Sequence, residues 1–371
     1  MYPRLVITGE RKFIERYGLF LASQEQYFPG MTALPAPSLK PVKSKSGFFR
    51  QLSSGFPVLS YLFSDKKFDP HRSIWAFRYK SSYFRRMLSK SPPDLVLQLF
   101  GMFNSAPGSI DCPLLLSLDY TMALAEKNYP RWAEFSTQRQ RNKWIALERR
   151  TYESATFLFP WSELAASSLQ DDYGIASGKI VVTGSGANFN HRVNEVKKFG
   201  SGILLMNGSD FYRKGGDIAL EAFKIIQQTS PGVQLIITGC EEKAGMKNVR
   251  FTGMIKNEAL MRKLFTEADL VLGPARCDPF PGFLIEAMQC GTPCIVSRAD
   301  AMPEIVDHGI NGIVLEELSP ETLAAAVLGI IWDQKRLQQF SLSAKNKVAR
   351  KLNWNHVSQT IFGTLRENAV I

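Results

Sequence analysis

No stretch of this 371-residue chain approaches the ~20 apolar residues that cross a bilayer. The longest candidate, Leu323 to Trp332, is short and sits inside a helical pattern, so no membrane span is expected. Cysteine is scarce: Cys112, Cys240, Cys277, Cys290 and Cys294 are odd in number, and Cys290 and Cys294 lack the CxxC spacing of a redox or zinc pair. A disulfide framework is thereby excluded, and the five read as reduced thiols of a cytoplasmic protein. The start, Met1-Tyr2-Pro3-Arg4, runs into Leu5-Val6-Ile7 without a long apolar segment or a small-residue cleavage site, so a standard secretion signal is not expected. There is no GxxxxGK[ST] and no DxD-like metal motif in a convincing context, which removes phosphoryl-transfer machinery and leaves no metal site to expect. Acidic residues are missing from one end: residues 1–100 hold 16 basic and 6 acidic side chains, residues 101–200 hold 11 and 10, and residues 201–371 hold 18 and 18. The whole net charge of +11 is therefore N-terminal.

What is present is a globular composition. Hydrophobic residues make up 45% and charged residues 21%, far from the composition of disordered chains. At roughly 150 residues per domain the length predicts two domains, each with its own core.

Short apolar runs ending in Gly or Ser alternate with helical patterns, the signature of parallel strands buried on both faces. The first half offers strands at Arg4 to Gly9, Asp94 to Gly101, Pro113 to Asp119, Thr156 to Trp161 and Lys179 to Thr183, with helices at Gln138 to Ser154 and Ser162 to Tyr173. The second half repeats the rhythm with strands at Gly202 to Gly208, Val233 to Gly239, Asn248 to Gly253, Leu270 to Pro274, Pro293 to Ser297 and Gly312 to Leu315. Helices at Gly216 to Gln228, Lys256 to Thr266 and Gly282 to Cys290 connect them, and Pro320 to Ile331, Gln334 to Arg350 and Asn355 to Glu367 follow without intervening strands. The pattern predicts two doubly wound α/β domains facing each other across a cleft, residues 1–186 and 187–354, with the last helices on the outside of the sheets. Gly184 to Gly200 reads as the boundary, and Pro29 to Gly55, rich in Pro, Ser and Lys, as a long loop.

Two segments carry chemistry. In Cys277-Asp278-Pro279-Phe280-Pro281-Gly282-Phe283-Leu284-Ile285-Glu286, a loop carboxylate precedes a helix that begins near Gly282. Free N–H groups and about half a positive charge at such a helix start suit a diphosphate lying against Gly282, Phe283 and Leu284. Glu286, read as lying in the first turn, can accept from ribose hydroxyls and Asp278 from a sugar, although both acids also favour a helix N-terminus for its own sake. In Met206-Asn207-Gly208-Ser209-Asp210-Phe211-Tyr212-Arg213-Lys214-Gly215-Gly216, adjacent cations end a strand and are followed by two glycines that let backbone approach an anion. Two cations and a helix start can neutralise a leaving diphosphate without a metal.

Asp278-x7-Glu286 followed by Ala287-Met288 and Gly291-Thr292-Pro293, with Arg213-Lys214-Gly215 and Arg250-Phe251-Thr252-Gly253 upstream, resembles the donor-binding half of family 4 (group 1) retaining glycosyltransferases. Met302-Pro303-Glu304-Ile305-Val306 and Gly309-x2-Gly312 extend the resemblance over roughly residues 202–332. It implies a GT-B fold with the donor in the C-terminal domain, the acceptor in the N-terminal one, the final helix, 355–371, packing back on the N-terminal domain, and no essential metal or cofactor. It also implies that Arg213 and Lys214 hold the diphosphate, Glu286 the ribose and Asp278 the donor sugar, with Gly208, Ser209 and Gly253 in the nucleotide site. Two features depart from the family. Asp278 stands where the family has Glu, with Pro281 in the following loop and Gly282 displaced by one position. Leu118-Asp119-Tyr120-Thr121 stands where many members carry a catalytic-site His, a position that none of His71, His191, His308 and His356 occupies. Asp119, at the C-terminal end of a strand, either lines the site or caps a helix.

The function implied by the resemblance is retaining transfer of a sugar from a UDP- or GDP-sugar to a hydroxyl acceptor, a lipid-linked or cell-envelope saccharide. A non-catalytic sugar-nucleotide-binding subunit and another GT-B enzyme such as an epimerase are the alternatives. Lys40 to Lys90 holds 12 Lys and Arg against Asp65 and Asp69 with aromatics between them. This region suits anionic lipid, a phosphorylated acceptor or plain solvation. No nucleic-acid motif accompanies it, so nucleic acid is not expected as a partner. The expected location is the cytoplasm, peripheral on the inner face of the membrane.

Overall fold

Leu5-Val6-Ile7-Thr8-Gly9 is buried at all five positions, as only a strand covered on both faces can be. The computed structural model describes residues 2–39, 73–106, 112–135, 137–188, 197–241 and 245–371. In chain order its first elements are β1 (Leu5–Gly9), α1 (Arg11–Arg16), α2 (Gly18–Glu25), β2 (Thr32–Pro35), α3 (Ile74–Lys90), β3 (Leu95–Leu99), β4 (Leu114–Leu118), α4 (Met122–Asn128), α5 (Gln138–Ser154), β5 (Phe157–Pro160) and α6 (Glu163–Asp171). The strands form one sheet in the order β2-β1-β3-β4-β5, every neighbouring pair parallel. Gln98 is the one long polar side chain inside β3, and it is satisfied: its amide donates to the carbonyls of Phe100 and Phe103 and its oxygen accepts from the Ser105 amide at 2.8 Å.

The second series is β6 (Ile203–Asn207), α7 (Gly216–Thr229), β7 (Gln234–Thr238), β8 (Val249–Phe251), α8 (Glu258–Glu267), β9 (Leu270–Gly273), α9 (Gly282–Gln289), β10 (Cys294–Val296), α10 (Met302–Ile305), β11 (Gly312–Val314), α11 (Pro320–Leu328), α12 (Gln334–Arg350) and α13 (Trp354–Glu367). Its sheet is also all parallel, ordered β11-β10-β9-β6-β7-β8. Ile218, Phe223 and Ile226 of α7 and Leu323 and Val327 of α11 join Leu204, Leu235 and Leu272 of the strands in one apolar core. Two compact units result: Met1–Trp161 with Ala165–Thr183 and Ile361–Ile371, and Ser162–Leu164 with Gly184–Thr360. Each is a doubly wound α/β layer structure. Each sheet reverses its strand order once, between β1 and β3 in the first and between β6 and β9 in the second, and open parallel sheets bind ligands at the C-terminal ends of strands beside such a reversal.

The structure corrects the sequence reading at two places in the first unit. Lys179 to Thr183 is not a strand; Val181 and Thr183 donate to Leu158 and Pro160 at 2.9 Å, and a single bridge joins Leu158 to Ile180. The pairing stops there because Gly184, at φ +70°, turns the chain away from the edge of β5. Pro29 to Gly55 is not a continuous loop, because Thr32–Pro35 adds β2 alongside β1. Residues 40–72, which include the rest of that stretch from Lys40 on and much of the basic region, lie outside the described residues.

Candidate active site

The C-terminal ends of β6 and β9 are neighbours, and the two segments singled out in the sequence are the loops that leave them. Gly215 makes the first loop possible. Its φ is +73°, and a β-carbon there would lie 1.8 Å from the carbonyl oxygen of Pro274, so the β6 loop passes under the β9 loop only with glycine at this position. Arg276 then pins the two loops together, donating to both oxygens of Asp217 at 2.7 and 2.8 Å and to the Tyr212 carbonyl at 2.6 Å, with its guanidinium 3.9 Å from the Tyr212 ring. Those bonds hold the Asp217 carboxyl below its ordinary pKa.

Within this frame Arg213, only 8% exposed, donates to Asp210 at 2.7 Å and to the Cys277 carbonyl at 2.6 Å, and lies 3.7 Å from Asp278. Burial opposes its charge, but Asp278 and Asp210 outweigh burial and raise its pKa above the usual arginine value. Lys214 donates to Asp278 at 2.5 Å, and the Asp278 backbone amide donates to Asp300 at 2.7 Å. Asp278 is thus the shared counter-ion of both cations, and its orientation is set by Asp300, itself held at a positive φ of 48°. With Asp210 the group carries two positive and two negative charges.

A pocket opens beside it, lined by Asn207, Lys214, Gly273, Ala275, Asp278, Pro281, Phe283, Leu284 and Met302. It lies at the β6/β9 reversal. The helix start at Gly282 adjoins it: Pro281 is the N-cap and supplies no side-chain hydrogen bond, and the Asn188 amide nitrogen lies 3.8 Å from where a Gly282 β-carbon would be. The Asn188 side-chain oxygen is buried without a hydrogen-bond partner. Gly208 and Ser209 sit one strand further on, where Gly208 packs on Ile237 and Cys240 and Ser209 on Gly239, which donates to the Gly253 carbonyl at 2.7 Å. The C-terminal edge therefore gathers Arg213, Lys214 and Asp278 with Phe283 and Leu284 on the β6/β9 side and Gly208, Ser209 and Gly253 on the β7/β8 side. Glu286 is half-buried on α9, but it is the fifth helical residue and α9 has no acid in its first turn. The reading of Glu286 as a first-turn residue is corrected: any ribose contact comes from the helix flank.

Asp119 belongs to the first unit, half-buried at the end of β4. It is not the helix cap, because the Thr121 side chain accepts from Leu124 at the start of α4. Near it is a carboxyl group the sequence did not reveal. Glu148, buried in α5, accepts from the Tyr152 hydroxyl at 2.9 Å, from the Tyr173 hydroxyl and from the Met122 amide. Burial pushes its pKa up to about 7, against the opposing effect of those donors. Only its spacing of four from Trp144 and Tyr152 placed it on the inner face of the helix. Arg276 and Asp300 were equally silent, since a partner 59 or 22 residues away in sequence leaves no local pattern.

Residues 188–347 match the family described as glycosyl transferases group 1. Among curated proteins, the chain is 28% identical over 169 residues to an uncharacterized glycosyltransferase of Methanocaldococcus jannaschii, covering 42% of this chain and 43% of that one. It is 25% identical over 167 residues to D-inositol 3-phosphate glycosyltransferase of Segniliparus rotundus, covering 41% and 37%. The match thus spans under half the length of either relative. Over the whole chain the structure is similar to that of the Anabaena protein HepE in complex with UDP and glucose, with a TM-score of 0.68, 15% identity and coverage of 98% of this chain and 100% of the other. The fold is GT-B, and residues 188–347, under half of the chain, match the group 1 glycosyltransferase family.

Proposed function

We propose that the protein is a glycosyltransferase that moves a sugar, with retention of anomeric configuration, from a UDP- or GDP-sugar to a hydroxyl group of a lipid-linked or cell-envelope saccharide. The observation that carries this reading is the pocket at the β6/β9 reversal, where Lys214, Asp278 and the start of α9 converge. The family match, and a fold shared with a protein that binds UDP and glucose, support it. In this reading the diphosphate lies against Gly282 and Phe283 with Arg213 and Lys214 on its flank. Glu286 reaches the ribose, and Gly208, Ser209 and Gly253 border the nucleotide.

The chemistry follows from where charge develops. As the bond from the anomeric carbon to the diphosphate oxygen breaks, negative charge grows on the leaving group and positive charge on the sugar ring. Arg213 and Lys214 are already held in place, so they need not reorganise. Each preorganised donor of this kind is worth ~3–4 kcal/mol to the transition state. The acceptor hydroxyl attacks from the face the diphosphate leaves and passes its proton to a departing oxygen, and no protein nucleophile is required. Asp278, whose second oxygen is not used by Lys214, is suited to a hydroxyl of the donor sugar, and Asp119 is our candidate for the acceptor side. We place the reaction in the cytoplasm, consistent with five free cysteines.

A panel of UDP, GDP and their sugar conjugates, read by thermal shift and by release of the free nucleoside diphosphate, tests the proposal. Stabilisation by one nucleotide series with acceptor-dependent release supports it. Stabilisation without turnover leaves a binding subunit, and no stabilisation by any member overturns the assignment of the pocket.

A further inference from the structure

In the first unit, α3 and α5 lie side by side on one face of the sheet, with the Phe77 and Trp144 rings in an edge contact at 5.5 Å. The common face follows from connection handedness. The crossover into β3 and the crossover from β4 to β5 run in the same direction along the sheet, so right-handed connections put both helices on the same side. Their inner faces are largely apolar: Phe77, Phe84 and Leu88 on one, Trp144 and Tyr152 on the other, are buried, with Lys80 and Glu148 as the buried charged side chains.

Their outer faces are predominantly basic, with Glu153 of α5 the exposed acid among them. On α3, Arg78, Arg85, Arg86 and Lys90 are exposed, and the helix contains no acidic residue. On α5, Arg139, Lys143 and Arg150 are exposed along one stripe, at spacings that stack on a helix surface. The two cations of these helices that do have carboxylate partners are Lys80, buried against Glu10, and Arg141, bound to Glu126. The eight exposed ones, Arg149 included, enter no ion pair among the described residues. Each helix of 17 residues is about 25 Å long and such helices pack about 8–10 Å apart, so the cations share one broad, flat face. Like charges so arranged repel one another, and Glu153, one acid against eight exposed cations, offsets little of that repulsion.

Apolar side chains stand among the charges. Met87 is 38% exposed beside Arg85 and Arg86, and Ile145 sits in an open groove of about 430 Å³ walled by Arg141, Arg149 and Arg150 with Glu153 at its edge. Guanidinium groups grip phosphate oxygens in pairs, and a thioether and a sec-butyl group between them suit acyl chains rather than water. We infer that the outer face of α3 and α5 docks on an anionic phospholipid membrane, with arginines on headgroup phosphates and Met87 and Ile145 at the acyl boundary. This goes beyond the donor reading and does not depend on it, because none of these residues belongs to the donor pocket.

The experiment sediments the full chain with phosphatidylcholine vesicles, with and without phosphatidylglycerol, across a salt series. A Lys or Arg near an anionic surface multiplies binding about fivefold, and the attraction fades over a Debye length of about 8 Å at physiological salt. Binding is expected with phosphatidylglycerol only, to fall at least about tenfold as salt rises, and to fall at least about tenfold again in Arg85→Glu/Arg86→Glu and in Arg139→Glu/Lys143→Glu/Arg150→Glu. The milder Arg85→Gln/Arg86→Gln keeps the test open if charge reversal impairs folding, with nucleotide-induced thermal shift as the check on folding. Wild-type binding in all variants overturns the inference, as does no binding at low salt or tighter binding to single-stranded RNA than to vesicles. If nucleotides bind none of these proteins while vesicle binding behaves as described, the donor reading fails and this one stands.

Discussion

Lys214 and Asp278, 64 residues apart in sequence, meet at 2.5 Å where two loops leave neighbouring strands. The sequence assigned one to the diphosphate and the other to the sugar. On the proposed donor reading, their contact makes this a site whose charges are already matched, in which the diphosphate shares Lys214 with a carboxylate. That carboxylate holds the ammonium in position at some cost in net attraction for the phosphates.

Removing the charge of Asp278 while keeping its shape separates these effects. Asp278→Asn is expected to leave nucleoside-diphosphate affinity unchanged or raised, since a competing negative charge is gone, while turnover falls by about two orders of magnitude. Calorimetric titration of the nucleoside diphosphate, paired with steady-state rates, checks both halves.

Lys214→Ala is expected to weaken nucleoside-diphosphate binding by ~1.5–3 kcal/mol, the usual worth of a hydrogen bond to a charged group. The same titration applies. Unchanged affinity would remove Lys214 from the diphosphate site.

Glu286→Gln should weaken binding of a ribonucleoside diphosphate by a similar ~1.5–3 kcal/mol and leave an acyclic analogue unaffected. A flank carboxylate that never meets the ribose would change neither, so comparing the two ligands on each protein decides the point.

Gly215→Ala should be among the most damaging single changes in the second unit. The new methyl group overlaps the Pro274 carbonyl oxygen, and alanine must also adopt a positive φ. A loss of at least ~2–4 kcal/mol in denaturant unfolding is expected, together with loss of nucleotide binding, because both loops of the site must move.

Glu148 makes stability depend on pH. Its folded pKa of about 7 lies above its ordinary value of 4.5, so between those values the folded state holds a proton that the unfolded chain has released. Stability from this group is greatest below pH ~4.5 and is lost as pH rises to about 7, by ~3 kcal/mol in all. Glu148→Gln cannot titrate, so its unfolding free energy should vary less over that window than the wild type's. Parallel slopes in denaturant melts from pH 5 to pH 8 would show that Glu148 is ionised in the folded protein.

Much of the framework was legible because it is written locally. Helices at Gln138–Ser154 and Gln334–Arg350 appear where amphipathic periodicity placed them, and every strand of the second sheet lies within its apolar run. The short loops of the donor segment were legible for the same reason, since each occupies a few consecutive residues between a strand and a helix. β2 was not: Thr-Ala-Leu-Pro is four residues long, only partly buried and ends in proline, and it becomes a strand because the edge of β1 is available to pair with it.

The sequence alone determined the two α/β modules, the excess of N-terminal charge and the residue types of the donor site, because periodicity, composition and spacing are properties of neighbouring residues. Tertiary structure alone decided that Lys214 pairs with Asp278 and that Arg276 locks the two loops. It also decided that Glu148 lies buried among tyrosines, and that the cations of α3 and α5 share one face. Each of these depends on chain segments tens of residues apart being brought within a few ångströms, and on burial that strengthens or penalises charge only once the core has closed around it.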